Sequence, residues 1–130
     1  PAGETLRHLL RLVVDDRRID FVHAHGTGTE LNDAVELGAI ESVLREACPV
    51  YSHKSALGHS LGAAGVTSVV LNCLVHRHGI VPGNINTTRP IGSGRFPIHH
   101  LATTRGVRRS LVIAAGFGGA AAAMTLCSPI

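Results

Sequence analysis

Leu6, Leu9, Leu10, Val13 and Val14 recur at helical spacing between Glu4 and Val14 while Arg7 and Arg11 fall on another face, which predicts a short amphipathic surface helix. Asp15-Asp16 ends it. Ile19 to Ala24 reads as a strand and runs into a glycine-rich turn, His25-Gly26-Thr27-Gly28-Thr29. From about Asn32, a good capping residue type, Val35, Leu37, Ile40, Val43, Leu44 and Ala47 form an apolar stripe with Glu36, Glu41 and Arg45 off it, predicting a second amphipathic helix. Pro49 to His53 is a short strand, followed by Lys54-Ser55-Ala56-Leu57-Gly58-His59, after which Ser60 is placed to cap a helix running to about His78. This helix is apolar nearly all round, which predicts burial on most of its sides. His76, Arg77 and His78 suit its carbonyl end, and Gly79 is placed to terminate it.

Pro82-Gly83-Asn84 and Thr87 to Gly94 read as loops, and Phe96 to Leu101 and Ser110 to Ala115 as strands. Gly116-Phe117-Gly118-Gly119 is a tight turn into a final alanine-rich strand, Ala120 to Cys127, whose small side chains let another layer approach closely. The order α-β-α-β-α-β-β-β predicts a layered α/β domain with a mixed sheet.

A chain of 130 residues, 45% hydrophobic and 16% charged, has the apolar surface to fold as a single globular unit over residues 1–130. The net charge of +3 comes with no basic run longer than Arg17-Arg18 or Arg108-Arg109, and aromatics are 3% with no Trp, so nucleic-acid binding is not indicated. A mildly basic surface favours an acidic protein partner. Cys48, Cys73 and Cys127 are odd in number and follow no CxxC spacing, so neither a disulfide framework nor a zinc ribbon fits and a reducing cytoplasm is the expected location. The stretch from Leu61 to Val75 is interrupted by Thr67, Ser68 and Asn72 and is short of the about 20 residues a bilayer span needs, so no membrane association is expected. No signal peptide is visible, and Pro1-Ala2-Gly3 reads as a cut end.

Two histidines stand beside glycine at strand-to-helix junctions, His25 in HGTGT and His59 in KSALGH. Ligands and catalytic groups of α/β folds collect at the carboxyl ends of strands, and a neutral imidazole can donate a hydrogen bond to a developing oxyanion, so two of them suit the polarisation of one carbonyl. Lys54, the single lysine against 11 arginines, falls five residues before His59, where it would bias an imidazole toward its neutral form. Thr27 and Thr29 supply hydroxyls where glycine lets the backbone approach a ligand. Without a GxGxxG or Walker pattern, nucleotide binding is not indicated. His23-Ala24-His25, His76-Arg77-His78 and His99-His100 offer paired imidazoles, but His76 and His78 read most simply as helix-end residues and His99 and His100 point to opposite strand faces, so no metal is assigned.

His25-Gly26-Thr27-Gly28-Thr29 with Asp33 and Glu36, Lys54-Ser55 with Gly58-His59 and Gly62-Ala63-Ala64-Gly65, and Gly116-Phe117-Gly118-Gly119, in that order and spacing, resemble the C-terminal part of β-ketoacyl synthases. These are the condensing enzymes of fatty-acid and polyketide synthesis. The resemblance implies the C-terminal half of a thiolase-like fold and a share in a decarboxylative Claisen condensation, in which an acyl group on a nucleophilic cysteine is attacked by the carbanion from malonyl-acyl carrier protein. By it, His25 and His59 are the catalytic histidines and Lys54 supports His59. Thr27 and Thr29 contact the phosphopantetheine arm, Phe117 with Gly118 gates the site, and Asp33 and Glu36 brace it. No cofactor of the chain's own is implied, because the phosphopantetheine arm belongs to the acyl carrier protein, the implied partner.

The departures from the family pattern are specific. None of the three cysteines stands in the nucleophile's setting, which lies in the N-terminal half of that fold. Asn32 stands where the family usually has glycine, Ser68 where many members have a glutamate pairing with the lysine, and Ala120-Ala121 where Thr-Asn is usual. The chain is therefore expected to be inactive alone and to pair with the missing N-terminal half or with a second copy through the apolar helix. The alternative is a non-catalytic assembly partner of the chain-length-factor kind.

Overall fold

A computed structural model describes residues 2–129; Pro1, read above as part of a cut end, lies outside the described residues, as does Ile130. Helix α1 (Ala2–Val13) leads to strand β1 (Phe21–His23), helix α2 (Glu30–Val43) and strand β2 (Val50–Tyr51). A four-residue helix, α3 (Lys54–Leu57), and a 3-10 turn at Leu61–Ala63 precede helix α4 (Ala64–His78). Strands β3 (Ile80–Val81), β4 (Thr103–Thr104), β5 (Arg109–Ala115) and β6 (Ala121–Cys127) complete the chain.

The main sheet has the order β2-β1-β5-β6, with β1 parallel to β2 and β5, and β6 antiparallel to β5. This is the mixed sheet the alternation of elements predicts. Side-chain alternation along β1 sorts its two faces. Val22 and Ala24 turn toward α1 and α2, where Leu6, Leu10, Ala39, Ile40, Leu111, Ile113 and Phe96 form the larger core. Phe21 turns the other way, into a smaller cluster with Tyr51, Val75 of α4, Val81 and Val107. Three layers result, with the sheet between α1/α2 and α4.

Three sequence expectations are corrected. Helix α2 begins at Glu30, so Asn32 lies inside its first turn; the carbonyl of Thr29 accepts from the Asp33 N–H at 3.0 Å, and Asp33 Oδ1 reaches back to the Gly28 N–H at 3.2 Å. Phe96 to Leu101 is not a strand. Pro97 has no N–H to offer a ladder, and the segment meets the β2 edge only through carbonyls, with Cys48 N–H donating to Arg95 O and Val50 N–H to Pro97 O. Thr103–Thr104 pairs instead with Ile80–Val81 as a separate antiparallel ribbon.

The third correction concerns α4. It buries Ala64, Ser68, Asn72 and Val75, whereas Val66, Val70 and Leu74 are 69%, 53% and 45% exposed. The Ser60 hydroxyl makes no capping hydrogen bond; its carbonyl instead accepts from the Ala63 N–H at 3.1 Å in the 3-10 turn that precedes the helix. The inward stripe is polar because the sheet face beneath it carries His23 and Ser110, both fully buried. Buried polar groups require partners, so the polar side of α4 turns in and the apolar side out.

Asn84, read from sequence as part of a loop, ties the β2 edge together. Its Oδ1 accepts from the Ser52 N–H at 2.9 Å, and its Nδ2 donates to Val50 O at 3.0 Å and His99 O at 3.1 Å. Removing the amide strands those buried groups, each at about 1–3 kcal/mol. Asn84→Ala is expected to lower the denaturation midpoint by an amount equivalent to about 3 kcal/mol with an unchanged m-value; equilibrium urea unfolding measures it.

Candidate active site

The residues following β1 and β2 at their carboxyl ends build the site. After His23 the chain leaves the sheet at Ala24-His25 and turns back at Gly26, whose φ of +45° and whose contact with Ser52, 2.7 Å from any added Cβ, admit only glycine. The turn is pinned from α2. Glu36, 4% exposed, accepts from the His25 N–H at 2.7 Å and the Gly26 N–H at 2.9 Å. Burial raises the pKa of this carboxyl, and the two backbone donors oppose the rise by favouring the charged form. From the β2 side, Lys54 Nζ donates to the His25 carbonyl at 2.5 Å, and Ser52 Oγ donates to the carbonyls of His25 and Gly26. Burial pulls the Lys54 pKa down, against the opposing charges of Glu36 and Asp33. The peptide joining His25 to Gly26 is thus held at both ends, its N–H by Glu36 and its carbonyl by Lys54.

His25 and His59 come together as the sequence predicts, with ring centroids 5.4 Å apart and planes at 80°. His59 is exposed, and its Nδ1 accepts from the Leu61 N–H at 3.0 Å. In the neutral ring the proton therefore sits on Nε2, a donor free for a ligand. His25 is buried, and its pKa falls to about 4, first through burial and then through the positive charges of Lys54 and His59. A neutral His25 ring carries one N–H, so the two adjoining rings can offer donors to one ligand oxygen.

The other expected residues are distributed around the pair. Lys54 donates to the backbone carbonyl of His25 and makes no hydrogen bond with the His59 ring. Thr27 and Thr29 join their hydroxyls at 3.0 Å and, with Asp33, Glu36 and Lys54, line an open cleft of 690 Å³. Ser68 Oγ faces His53 Nδ1 at 3.4 Å, not Lys54. Phe117 is fully exposed on the turn joining β5 and β6, where Gly118 takes a φ of +73°. Because β5 runs parallel to β1, that turn lies at the same sheet edge as His25.

None of the cysteines joins this group. Cys48 sits in the core against α1 and α2, where burial pushes its thiol up to about 12. Cys127 pairs with Arg109 at the opposite end of β5, and Cys73 is exposed nine residues into α4, roughly 13 Å along the axis from its start. Among the described residues no group of three or more His, Cys, Asp or Glu side chains is arranged to hold a metal ion. No helix among them is long and apolar enough to cross a membrane.

Sequence reasoning weighed His23 only as a paired imidazole for a metal and gave His53 no role; both are fully buried. His23 Nε2 lies 3.0 Å from His53 Nδ1, and His23 Nδ1 lies 2.5 Å from Asn72 Oδ1. The available signal was the recurrence of Ser68, Asn72 and His76 every four residues along an otherwise apolar helix.

The layered mixed sheet with histidine-bearing turns at the carboxyl ends of its parallel strands has the thiolase-like fold, and its likeness to known proteins places it among the ketosynthases. The family model described as "Beta-ketoacyl synthase, C-terminal domain" matches residues 4–88, and the chain belongs to that family. It is 36% identical over 135 residues to the actinorhodin polyketide putative beta-ketoacyl synthase 1 of Streptomyces coelicolor, covering 95% of this chain and 28% of that protein. It is 35% identical over 122 residues to 3-oxoacyl-acyl-carrier-protein synthase 2 of Rhizobium meliloti, covering 91% of this chain and 29% of that protein. The solved ishigamide ketosynthase/chain length factor superposes with a TM-score of 0.89 at 30% identity, over 98% of this chain and 33% of that one. The chain spans less than a third of the length of either curated relative.

The depressed His25 pKa has a consequence for stability. The unfolded chain protonates this ring near pH 6.5 and the folded chain only near 4, so between those values the unfolded state binds more protons. The His25 contribution is complete above pH 6.5 and is lost as pH falls toward 4. An NMR titration is expected to show His25 neutral down to about pH 4, with thermal stability declining across the same window; a His25 midpoint near 6.5 would contradict the site's electrostatics.

Proposed function

We propose that this chain is the histidine-bearing portion of a β-ketoacyl-acyl-carrier-protein synthase. The observation that carries the reading is the His25–His59 pair, with rings 5.4 Å apart and the His59 tautomer set by the Leu61 N–H. In the reaction the bond between the malonyl carboxylate and its α-carbon breaks and carbon dioxide leaves. The electron pair stays on the α-carbon, delocalised into the thioester oxygen, and N–H groups of His25 and His59 hold the developing oxyanion. The α-carbon then forms a bond to the acyl carbonyl carbon, and the cysteine sulfur departs as thiolate. That nucleophile is supplied by polypeptide outside this chain, so the chain alone is inactive. Thr27 and Thr29 meet the phosphopantetheine arm of the acyl carrier protein, and Phe117 with Gly118 covers the cysteine once that polypeptide is in place. The retained histidine pair favours this reading over a non-catalytic partner of the chain-length-factor kind.

The exposed stripe of Val66, Val70 and Leu74 supports a completing partner. Its apolar side chains lie four residues apart on one face of α4, the geometry of a helix that docks onto another layer. In the complete synthase this face meets the other half of the fold; in its absence a second copy covers it.

Two outcomes are expected. With its completing polypeptide the protein decarboxylates malonyl-acyl carrier protein, and His25→Ala or His59→Ala lowers that rate by about 100-fold or more. Unchanged rates would overturn the assignment. Alone, the chain sediments at micromolar concentration as a dimer or larger species that Val70→Glu returns to monomer; a stable wild-type monomer would count against the apolar face as a docking surface.

A further inference from the structure

Beneath α4 an unbroken series of hydrogen bonds links seven groups, and its donor and acceptor roles follow from its ends. Ser128 Oγ donates to the carbonyl of Val107 at 2.9 Å, so it accepts from His76 Nδ1 at 2.7 Å. With its proton on Nδ1, neutral His76 presents Nε2 as an acceptor, and Ser110 Oγ donates to it at 2.9 Å. Ser110 accepts in turn from Asn72 Nδ2 at 3.0 Å, which leaves Asn72 Oδ1 to receive the His23 Nδ1–H at 2.5 Å. His23 Nε2 is then an acceptor, and His53 Nδ1 donates to it at 3.0 Å. Ser68 Oγ, which donates to Ala64 O, is a second, longer acceptor for the same proton at 3.4 Å. Every proton points the same way. At the head, His53 Nε2 carries a lone pair and is buried without a partner.

The series runs between the elements that hold the proposed site. His23 is the last residue of β1, two residues before His25, and His53 adjoins Lys54. Asn72 and Ser68 belong to α4, which follows directly from the His59 turn, and Ser110 belongs to β5. His23, His53, Asn72 and Ser110 are fully buried and Ser68 is 2% exposed, so water does not compete for these bonds.

We propose that His23 and His53 are positioning residues: a one-way hydrogen-bond chain locks both as single neutral tautomers, joins β1, the segment after β2, α4 and β5, and so sets the placement of His25, Lys54 and His59. The positioning role rests on the functional reading above; the order of protons does not. A chain of hydrogen bonds ordered in one sense, with His23, His53, Asn72 and Ser110 fully buried in it, also explains why α4 turns Ser68 and Asn72 inward, since each is a partner in it.

Long-range proton–nitrogen NMR of the histidine rings tests the order without any substrate. His23 and His53 are expected to carry their proton on Nδ1 and a bare Nε2 at neutral pH. A protonated Nε2 on His53, or exchange between tautomers, overturns the proposal. Two variants test the role. His23→Gln supplies an amide that donates to Asn72 and accepts from His53, whereas His23→Leu supplies neither. In the completed synthase His23→Leu is expected to release the His53 tautomer and lower the condensation rate about tenfold or more, and His23→Gln to restore both. A His53 tautomer or a rate that His23→Leu leaves unaltered overturns the positioning role. If the completed protein shows no condensation at all, the functional reading fails separately, and the tautomers of the wild-type rings still decide the proton order.

Discussion

The His25 peptide is the point on which the site depends. In the peptide joining His25 to Gly26, the N–H is taken by the buried carboxylate of Glu36 from α2 and the carbonyl by the ammonium of Lys54 from the segment after β2. Opposite charges on the two sides of one peptide fix its plane, and the shared burial of Glu36 and Lys54 makes either one costly without the other. The strand end cannot swing, so the imidazole it carries is aimed at the His59 turn. Gly26 completes the arrangement by letting the backbone reverse against Ser52, where a side chain has no room.

Around this point the two faces of the sheet do different work. The α1/α2 face is an ordinary apolar core, closed over Val22, Ala24, Leu111 and Ile113. The α4 face is largely polar near its centre, built from imidazoles, amides and hydroxyls that satisfy one another. Such an interior contributes little net hydrophobic stability but specifies a single arrangement, because any one misplaced link strands its neighbours. The cost appears on the far side of α4, where Val66, Val70 and Leu74 stay uncovered within this chain.

Much of this was legible in the sequence, for local reasons. His25 and His59 stand next to glycines at strand ends, so position and chemistry point the same way. The two parallel strands and the terminal hairpin follow from short β-rich runs bounded by turn residues. The hidden parts are those in which a long-range partner decides the outcome. Phe96 to Leu101 has strand-like composition, but Pro97 denies it a ladder and Asn84 recruits its His99 carbonyl instead. Asn32 looks like a cap, yet the turn pinned by Glu36 and Asp33 starts α2 earlier. His23 was legible only as a neighbour of His25 and His53 only as the end of a short strand, because nothing local announces that Asn72 and Ser110, far along the chain, complete the hydrogen bonds. Helix α4 reads as buried from its composition alone; which side faces inward is settled by the polar face it meets.

In the proposed synthase the Glu36 clamp acts on decarboxylation through His25. A double-mutant cycle on malonyl-acyl carrier protein decarboxylation, measured on the completed synthase with Glu36→Ala, His25→Ala and both together, tests it most directly. If the clamp works by aiming His25, the double variant loses no more activity than His25→Ala alone. Losses that simply multiply, with each substitution acting independently of the other, would contradict the account.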